Sequence, residues 1–284
     1  MEIINRRQRM FSISRKLRRE AKTVGFVPTM GALHEGHLTL VREARAANNV
    51  VIVSIFVNSK QFNDPNDLEK YPRDLTADAA LLAEYEVDYV FAPEKHEIYG
   101  EGFSTYVNVE GLTASLEGVS RPGHFRGVAT VVTILFNTVR PDRAYFGQKD
   151  AQQVAVIKQL TTDLGFETEI VVVPTFREES GLAMSSRNLL LSSDEREKAV
   201  VIIDSLRQAK LAFKKGERIA SNLTQIVNDH LRTQPLARLD YVEVVGRDSL
   251  QPVEKIGDEE TLIVIAAYVG SVRLIDNVIL NRKQ

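Results

Sequence analysis

The sequence predicts an α/β protein, a doubly wound parallel sheet with a smaller α+β C-terminal domain. Three observations carry this. Apolar, β-branched runs alternate with helix-period stretches through residues 24–173. Near residue 180 the pattern changes to helices followed by adjacent alternating strands. The length, 284 residues, suits about two domains of roughly 100–200 residues each. The expected domains are 1–180 and 181–284, with the boundary in the loop between Arg177 and Ser192.

Each element has its own signal. The basic start reads as a helix over Ser12–Lys22 with a solvated face; no apolar h-region follows it, so a secretory leader is not expected. Val24–Pro28 is a short strand running into a tight Thr-Met-Gly loop. From Gly36 to Asn48, Leu40, Val41, Ala44 and Ala47 fall at helical spacing. Val50–Val57 is nearly all apolar, as in a strand buried on both faces. Asn58–Tyr71 reads as a loop, Asp74 as the cap of a helix through Tyr85, and Val87–Ala92 as the next strand. The β-branched stretch Ser104–Val109 predicts an edge strand. Val128, Val131, Val132, Leu135 and Val139 make one helical stripe. After the strand Arg143–Phe146, Asp150 is expected to cap a helix bearing Val154, Ile157, Leu160 and Leu164, with Gly165 at C′. Glu169–Val173 is a further buried strand. This alternation is Rossmann-like, and such sheets bind ligands beyond the carboxyl ends of their strands. In the second part, the capping box Ser192-x-x-Glu195 opens a helix through Lys215, which Gly216 stops. Strands Leu239–Val245, Thr261–Val269 and Val272–Leu280 then predict a small antiparallel sheet.

Composition narrows the chemistry. Hydrophobic residues are 44% and charged residues 26%, ordinary for a globular chain. Cysteine is absent, which excludes disulfides, Cys-ligated zinc, iron–sulfur clusters and thiol nucleophiles. The net charge of −2 offers nucleic acid no global positive field. No run approaches the ~18 apolar residues of a membrane span. A soluble cytoplasmic protein is the expectation.

Two of the five histidines share one window, His34-Glu35-Gly36-His37, where the first of these strands hands over to a helix. Anions bind there in nucleotide-binding folds, on helix-terminal N–H groups. Neither GxGxxG nor GxxxxGK[ST] is present. Spacing of i and i+3 without a third ligand argues against zinc. Two readings stay open on local sequence: a pair of histidines capping a helix, or a clamp for a triphosphate. Gly36 would let the nucleotide approach the backbone.

PTMGALHEGH resembles the HIGH-type signature of the nucleotidyltransferase superfamily, which includes class I aminoacyl-tRNA synthetases. Met184-Ser185-Ser186-Arg187-Asn188 stands where that superfamily has its KMSKS-like partner. Ser54–Phe62, Phe146–Gln153, Arg121–Gly127 and Arg273–Asn277 narrow the likeness. With them nearly the whole chain resembles the pantoate–β-alanine ligase (pantothenate synthetase) family. The resemblance implies ATP-dependent joining of (R)-pantoate and β-alanine through a pantoyl-adenylate, with Mg²⁺ accompanying ATP. It also implies a homodimer, and a C-terminal domain that covers the site.

Residue roles follow from the same resemblance. Met30, Gly31, Ala32, Leu33, His34, Glu35, Gly36 and His37 match the first ATP-binding segment. His37 matches the residue usually assigned as proton donor; phosphoryl-type transition states favour a charge stabiliser. Gly147, Gln148, Lys149 and Asp150 match the second ATP segment, with Lys149 as a point charge and no role for the Gln148 side chain. Phe176 matches a backbone contact to adenine. Met184, Ser185, Ser186 and Arg187 match the third segment. Met184 replaces the usual Lys there, so the cationic task falls on Arg187 and Lys149. His37, His34, Lys149 and Arg187 are therefore the expected catalytic set. Gln61 matches the residue binding pantoate and β-alanine, Gln153 a second pantoate contact, and Asn58 is expected to help Gln61. Asp78 matches a position near magnesium, although its local context is a helix surface. Arg121, His124 and Arg126 border a Gly-rich segment expected to close over the site. His96 and His230 read as structural. Competing classes are a nucleotidyltransferase with a phosphate acceptor and a non-catalytic nucleotide sensor.

Overall fold

The computed structural model describes residues 1–281. The chain divides into two compact units, Met1–Gly147 with Gln152–Val173, and Gln148–Ala151 with the chain from Pro174 onward.

The first unit begins with β1 (Glu2–Ile4) and α1 (Arg7–Arg19), then β2 (Val24–Thr29), α2 (Glu35–Ala47) and β3 (Val50–Ile55). After a 3-10 turn at Ser59–Gln61 come α3 (Pro65–Lys70), α4 (Leu75–Ala83), β4 (Tyr89–Phe91), α5 (Lys95–Ile98) and α6 (Glu117–Ser120). The unit closes with α7 (His124–Val139), β5 (Arg143–Gly147), α8 (Ala151–Asp163) and β6 (Glu169–Val173). The six strands are all parallel, in the order β1-β4-β3-β2-β5-β6.

Alternating side chains on each strand explain the near-continuous apolar runs. Phe26, Ile52 and Phe91 pack with Met10, Ile13 and Leu17 of α1 and with Val128, Val132 and Leu135 of α7. Their neighbours Val27, Val51, Val53 and Val90 pack in a second cluster with Leu38, Val41 and Ala44 of α2 and Leu82 of α4. Both faces are covered, the doubly wound arrangement that the alternation predicts. From β2 the order runs one way through β3 and β4 and the other way through β5 and β6. The switch point therefore lies at the carboxyl ends of β2 and β5.

Several expectations need correction. The basic helix runs over Arg7–Arg19, not Ser12–Lys22. It starts early because Met10 is core, and it ends where Ala21 turns left-handed and Lys22 N–H bonds back to Leu17 O. The 58–71 loop contains the turn at Ser59–Gln61 and α3, whose cap is Asp64 with Pro65 at the first position. Asp74 does cap α4, accepting from Ala77 N–H, but the helix stops at Ala83. Ser104–Val109 forms no strand. Its Val107 N–H bonds the Thr130 hydroxyl at 3.0 Å, so that donor is satisfied without a sheet. The 121–127 segment is no free loop either, because α7 begins at His124.

In the second unit, Gln148–Asp150 and Ser186–Leu190 are 3-10 turns. Then come α9 (Ser193–Lys198), α10 (Val201–Lys214), α11 (Ala220–Leu231), β7 (Ala237–Gly246), β8 (Thr261–Val269) and β9 (Val272–Leu280). The strands make an antiparallel sheet in the order β7-β8-β9, with a register shift between Leu239 and Tyr241. Leu206, Ala209 and Phe213 of α10 and Leu223 and Val227 of α11 share its core with Ile263, Ile265 and Leu274. The Ser192–Glu195 capping box is present, but the expected single helix is two, interrupted at Ala199–Val200. Gly216, at φ +111°, follows α10. Among the described residues no helix is long and apolar enough to cross a membrane.

Candidate active site

The loop after β2 is shaped by three devices. Thr29, the last residue of β2, donates its hydroxyl to Ser54 O at 2.7 Å and accepts the Gly31 N–H at 3.2 Å. Gly31 and Ala32 both have positive φ, +82° and +52°. A Cβ on Gly31 would lie 2.8 Å from Asp78 Oδ2 and 3.1 Å from Ile55, so only glycine fits. Asp78 is 4% exposed, and its two carboxylate oxygens accept the N–H groups of Ala32 (3.0 Å) and Leu33 (2.8 Å). It is therefore no helix-surface aspartate but the anchor of the loop.

His34 then caps α2 and His37 occupies its third position. The two rings stack with centroids 4.1 Å apart, and the His34 N–H points at His37 Nδ1 at 3.4 Å. This contact uses Nδ1 as an acceptor and leaves Nε2 as the ring nitrogen that can donate. Met30, Leu33, His34, Gly36 and His37 are half-buried, and Glu35 is exposed, 3.4 Å from Arg42.

Asn58 caps the Ser59–Gln61 turn and is 1% exposed. It donates to Gln61 Oε1 at 2.8 Å and to Gly127 O at 3.0 Å, while accepting from Tyr99 and from Lys60 N–H. Gln61 Nε2 lies 3.1 Å from Met30 Sδ, which joins this pair to the loop after β2. A Cβ on Gly127 would clash with the Lys60 carbonyl, so α7 approaches the turn closely there. His124 is buried against Gln61 O at 2.9 Å, and Arg126 stacks over Tyr106 at 4.9 Å. The Gly-rich segment thus fastens the Gln61 turn. Gln153 is half-buried in the first turn of α8. Gly147 ends β5.

In the second unit, Lys149 is mostly buried and lies 3.6 Å from Asp150, which belongs to the 3-10 turn that precedes α8. The Gln148 side chain does have a task. It is buried and donates to Asn277 Oδ1 at 3.0 Å, while Asn277 donates back to Gln148 O (2.9 Å) and Lys149 O (3.0 Å). Phe176 and Met184 face each other across a hairpin, with Met184 N–H on Phe176 O at 3.0 Å. Inside it Arg177 forms a two-pronged ion pair with buried Asp276, at 2.7 and 3.0 Å. Ser185 caps the following turn by accepting the Arg187 N–H; Ser186 and Arg187 are half-buried within it. Asn188 ties this turn back to Glu178 and Ala183 O.

A family profile described as pantoate-beta-alanine ligase matches residues 2–279. The chain belongs to the pantoate–β-alanine ligase family. A pantothenate synthetase from Caldicellulosiruptor saccharolyticus is 50% identical over 98% of this chain and 99% of its own. One from Thermotoga neapolitana is 51% identical over 99% and 100%. Among solved structures, a pantothenate synthetase from Thermus thermophilus superposes with a TM-score of 0.91 at 45% identity, covering 98% and 99%. A pantoate–β-alanine ligase from Francisella tularensis, complexed with beta-gamma ATP and beta-alanine, gives 0.80 at 40% identity, covering 98% and 97%. In this ligase fold, sequence reasoning missed Tyr99, Gly127, Asp276 and Asn277. Gly127 ends the Arg121–Gly127 block and the last two sit in the Arg273–Asn277 block, and those blocks were the available signal. Tyr99 and Gly127 act through a contact that only the fold creates.

Proposed function

We propose that this chain is an ATP-dependent ligase that joins (R)-pantoate to β-alanine, giving pantothenate, AMP and pyrophosphate. The observation that carries the reading is the anchored His34–His37 helix start at the carboxyl end of the switch-point strand, in a chain of this family throughout. A pantoate carboxylate oxygen attacks Pα, and the bond to the pyrophosphate oxygen breaks. The β-alanine nitrogen then attacks the acyl carbon, the bond to AMP breaks, and the amine loses a proton. His37 donates from Nε2 to the charge developing on the phosphate oxygens. His34 and the N-terminal amides of α2 hold the anion beside it. Lys149 and Arg187 supply positive charge, and Gln61 and Gln153 hold pantoate without adding any, with buried Asn58 fixing Gln61.

Magnesium does not fit Asp78 well, because both its oxygens already accept backbone N–H groups. Among the described residues no group of three His, Asp or Glu side chains converges as a metal site. The ion is expected on the triphosphate itself. Pantoate-dependent exchange of pyrophosphate into ATP without β-alanine tests the stepwise route. Exchange that strictly needs the amine would overturn it. Mass spectrometry separates an amide plus AMP from a dinucleotide. A homodimer is part of the same proposal, and light scattering checks its stoichiometry; a cytoplasmic location is proposed alongside it, and cell fractionation checks that.

A further inference from the structure

Gln61 has a donor end and an acceptor end, and the fold decides which one is presented. A side-chain amide can be turned over, so its polarity must be read from partners whose own polarity is fixed. Asn58 has two such partners. Its Nδ2 lies 3.0 Å from the Gly127 carbonyl, which only accepts, and its Oδ1 lies 3.3 Å from the Lys60 N–H, which only donates. The Asn58 amide is thereby locked, and Nδ2 also donates to Gln61 Oε1 at 2.8 Å. Gln61 must then turn its NH₂ away from Asn58. There it meets the Met30 thioether at 3.1 Å, a weak acceptor that a ligand oxygen outcompetes.

Tyr99 completes the chain. Its hydroxyl donates to Asn58 Oδ1 at 2.5 Å, and its ring is 7% exposed, between Phe56 and Phe103. Burial pushes its phenol pKa well above the ordinary value, so it stays a donor.

We propose that Tyr99 is a positioning residue for pantoate: acting through Asn58, it holds Gln61 with its NH₂ toward the ligand, so that this position reads a carboxylate or hydroxyl oxygen and not an amine. The proposal rests on the reading of Gln61 as a substrate contact. β-Alanine meeting Gln61 would present its carboxylate, not its ammonium group.

The test is a double-variant cycle. Tyr99→Phe keeps the ring contacts and removes only the hydroxyl. Steady-state rates are measured with pantoate and ATP varied separately, for Tyr99→Phe, Gln61→Ala and the double variant. Thermal melting of each is followed alongside. Gln61→Ala is expected to raise the pantoate KM about tenfold and Tyr99→Phe about fivefold, on the scale of one hydrogen bond. The ATP KM should move less than about twofold. The double variant should be no worse than Gln61→Ala alone, because Tyr99 acts through Gln61. Additive losses, or equal rises in both KM values, would overturn the relay. A pantoate KM raised by Gln61→Ala but untouched by Tyr99→Phe would also overturn it, leaving Gln61 as a contact. No change in Gln61→Ala would remove the contact and the proposal with it. If Tyr99→Phe melts below the assay temperature, Asn58→Asp keeps Tyr99's acceptor but loses the donor to Gln61. An unchanged pantoate KM there sinks the idea.

Discussion

Asp78→Asn asks whether this carboxylate serves the loop or a metal ion. Both oxygens of Asp78 accept backbone N–H groups, from Ala32 at 3.0 Å and Leu33 at 2.8 Å. Asparagine keeps one acceptor and sets an NH₂ against the other backbone N–H. One charge-assisted bond is lost, about 1.5–3 kcal/mol. The segment has little to replace it, since Ala32 at φ +52° is itself unfavourable by roughly 1–2 kcal/mol. A loss of about 2 kcal/mol corresponds to up to ~30-fold in the population of the ordered loop. The assay is ATP affinity, measured by calorimetry in EDTA and again with magnesium. Affinity should fall about tenfold or more in both. Unchanged affinity in EDTA, with a loss only when magnesium is supplied, would refute the anchor and make Asp78 an ion ligand.

Three further outcomes follow from named contacts. His37→Ala should lower pantoate-dependent ATP–pyrophosphate exchange about 10²-fold, the scale of one transition-state donor; a loss below about threefold would take His37 off the catalytic set. Gly127→Ala drives a Cβ into the Lys60 carbonyl, so the Ser59–Gln61 turn must shift; urea denaturation should show about 1–3 kcal/mol lost, with a raised pantoate KM. Asn277→Ala removes its bonds to the Gln148 side chain and to two carbonyls; a loss of about 2–3 kcal/mol in urea is expected, together with a lower kcat as the Lys149 turn loosens.

The sheet was legible because burial on two faces writes itself into composition. Val50–Ile55 is apolar at nearly every position, and both clusters on either side of it need that. The short strand β1 has only Ile4 fully buried, too little for any period to show. Ser104–Val109 shows the converse. β-Branched residues favour a strand only where a neighbour takes their backbone bonds, and here Thr130 takes one instead. At the site, the loop around His34 and the turn around Gln61 were visible as motifs. The supporting roles around them were not. Asp78, Tyr99 and Gly127 lie 45, 38 and 66 residues away from Leu33, Gln61 and Gln61 in sequence, and only folding brings them there. The task of the Gln148 side chain is hidden from local sequence because its partner, Asn277, lies far along the chain.

The four residues Gln148–Ala151 belong with the second unit although first-unit chain flanks them on both sides. That arrangement bears on heredity and on protein engineering alike. A gene fragment starting at Pro174 would encode β9 without the carbonyls of Gln148 and Lys149, removing both acceptors of the Asn277 side-chain amide. Recombination between relatives at that junction would therefore pair an Asn277 from one parent with a Lys149 turn from the other. Chimeras should survive best when the short Gln148–Ala151 stretch travels with the C-terminal half, so the natural unit of exchange is discontinuous in the gene.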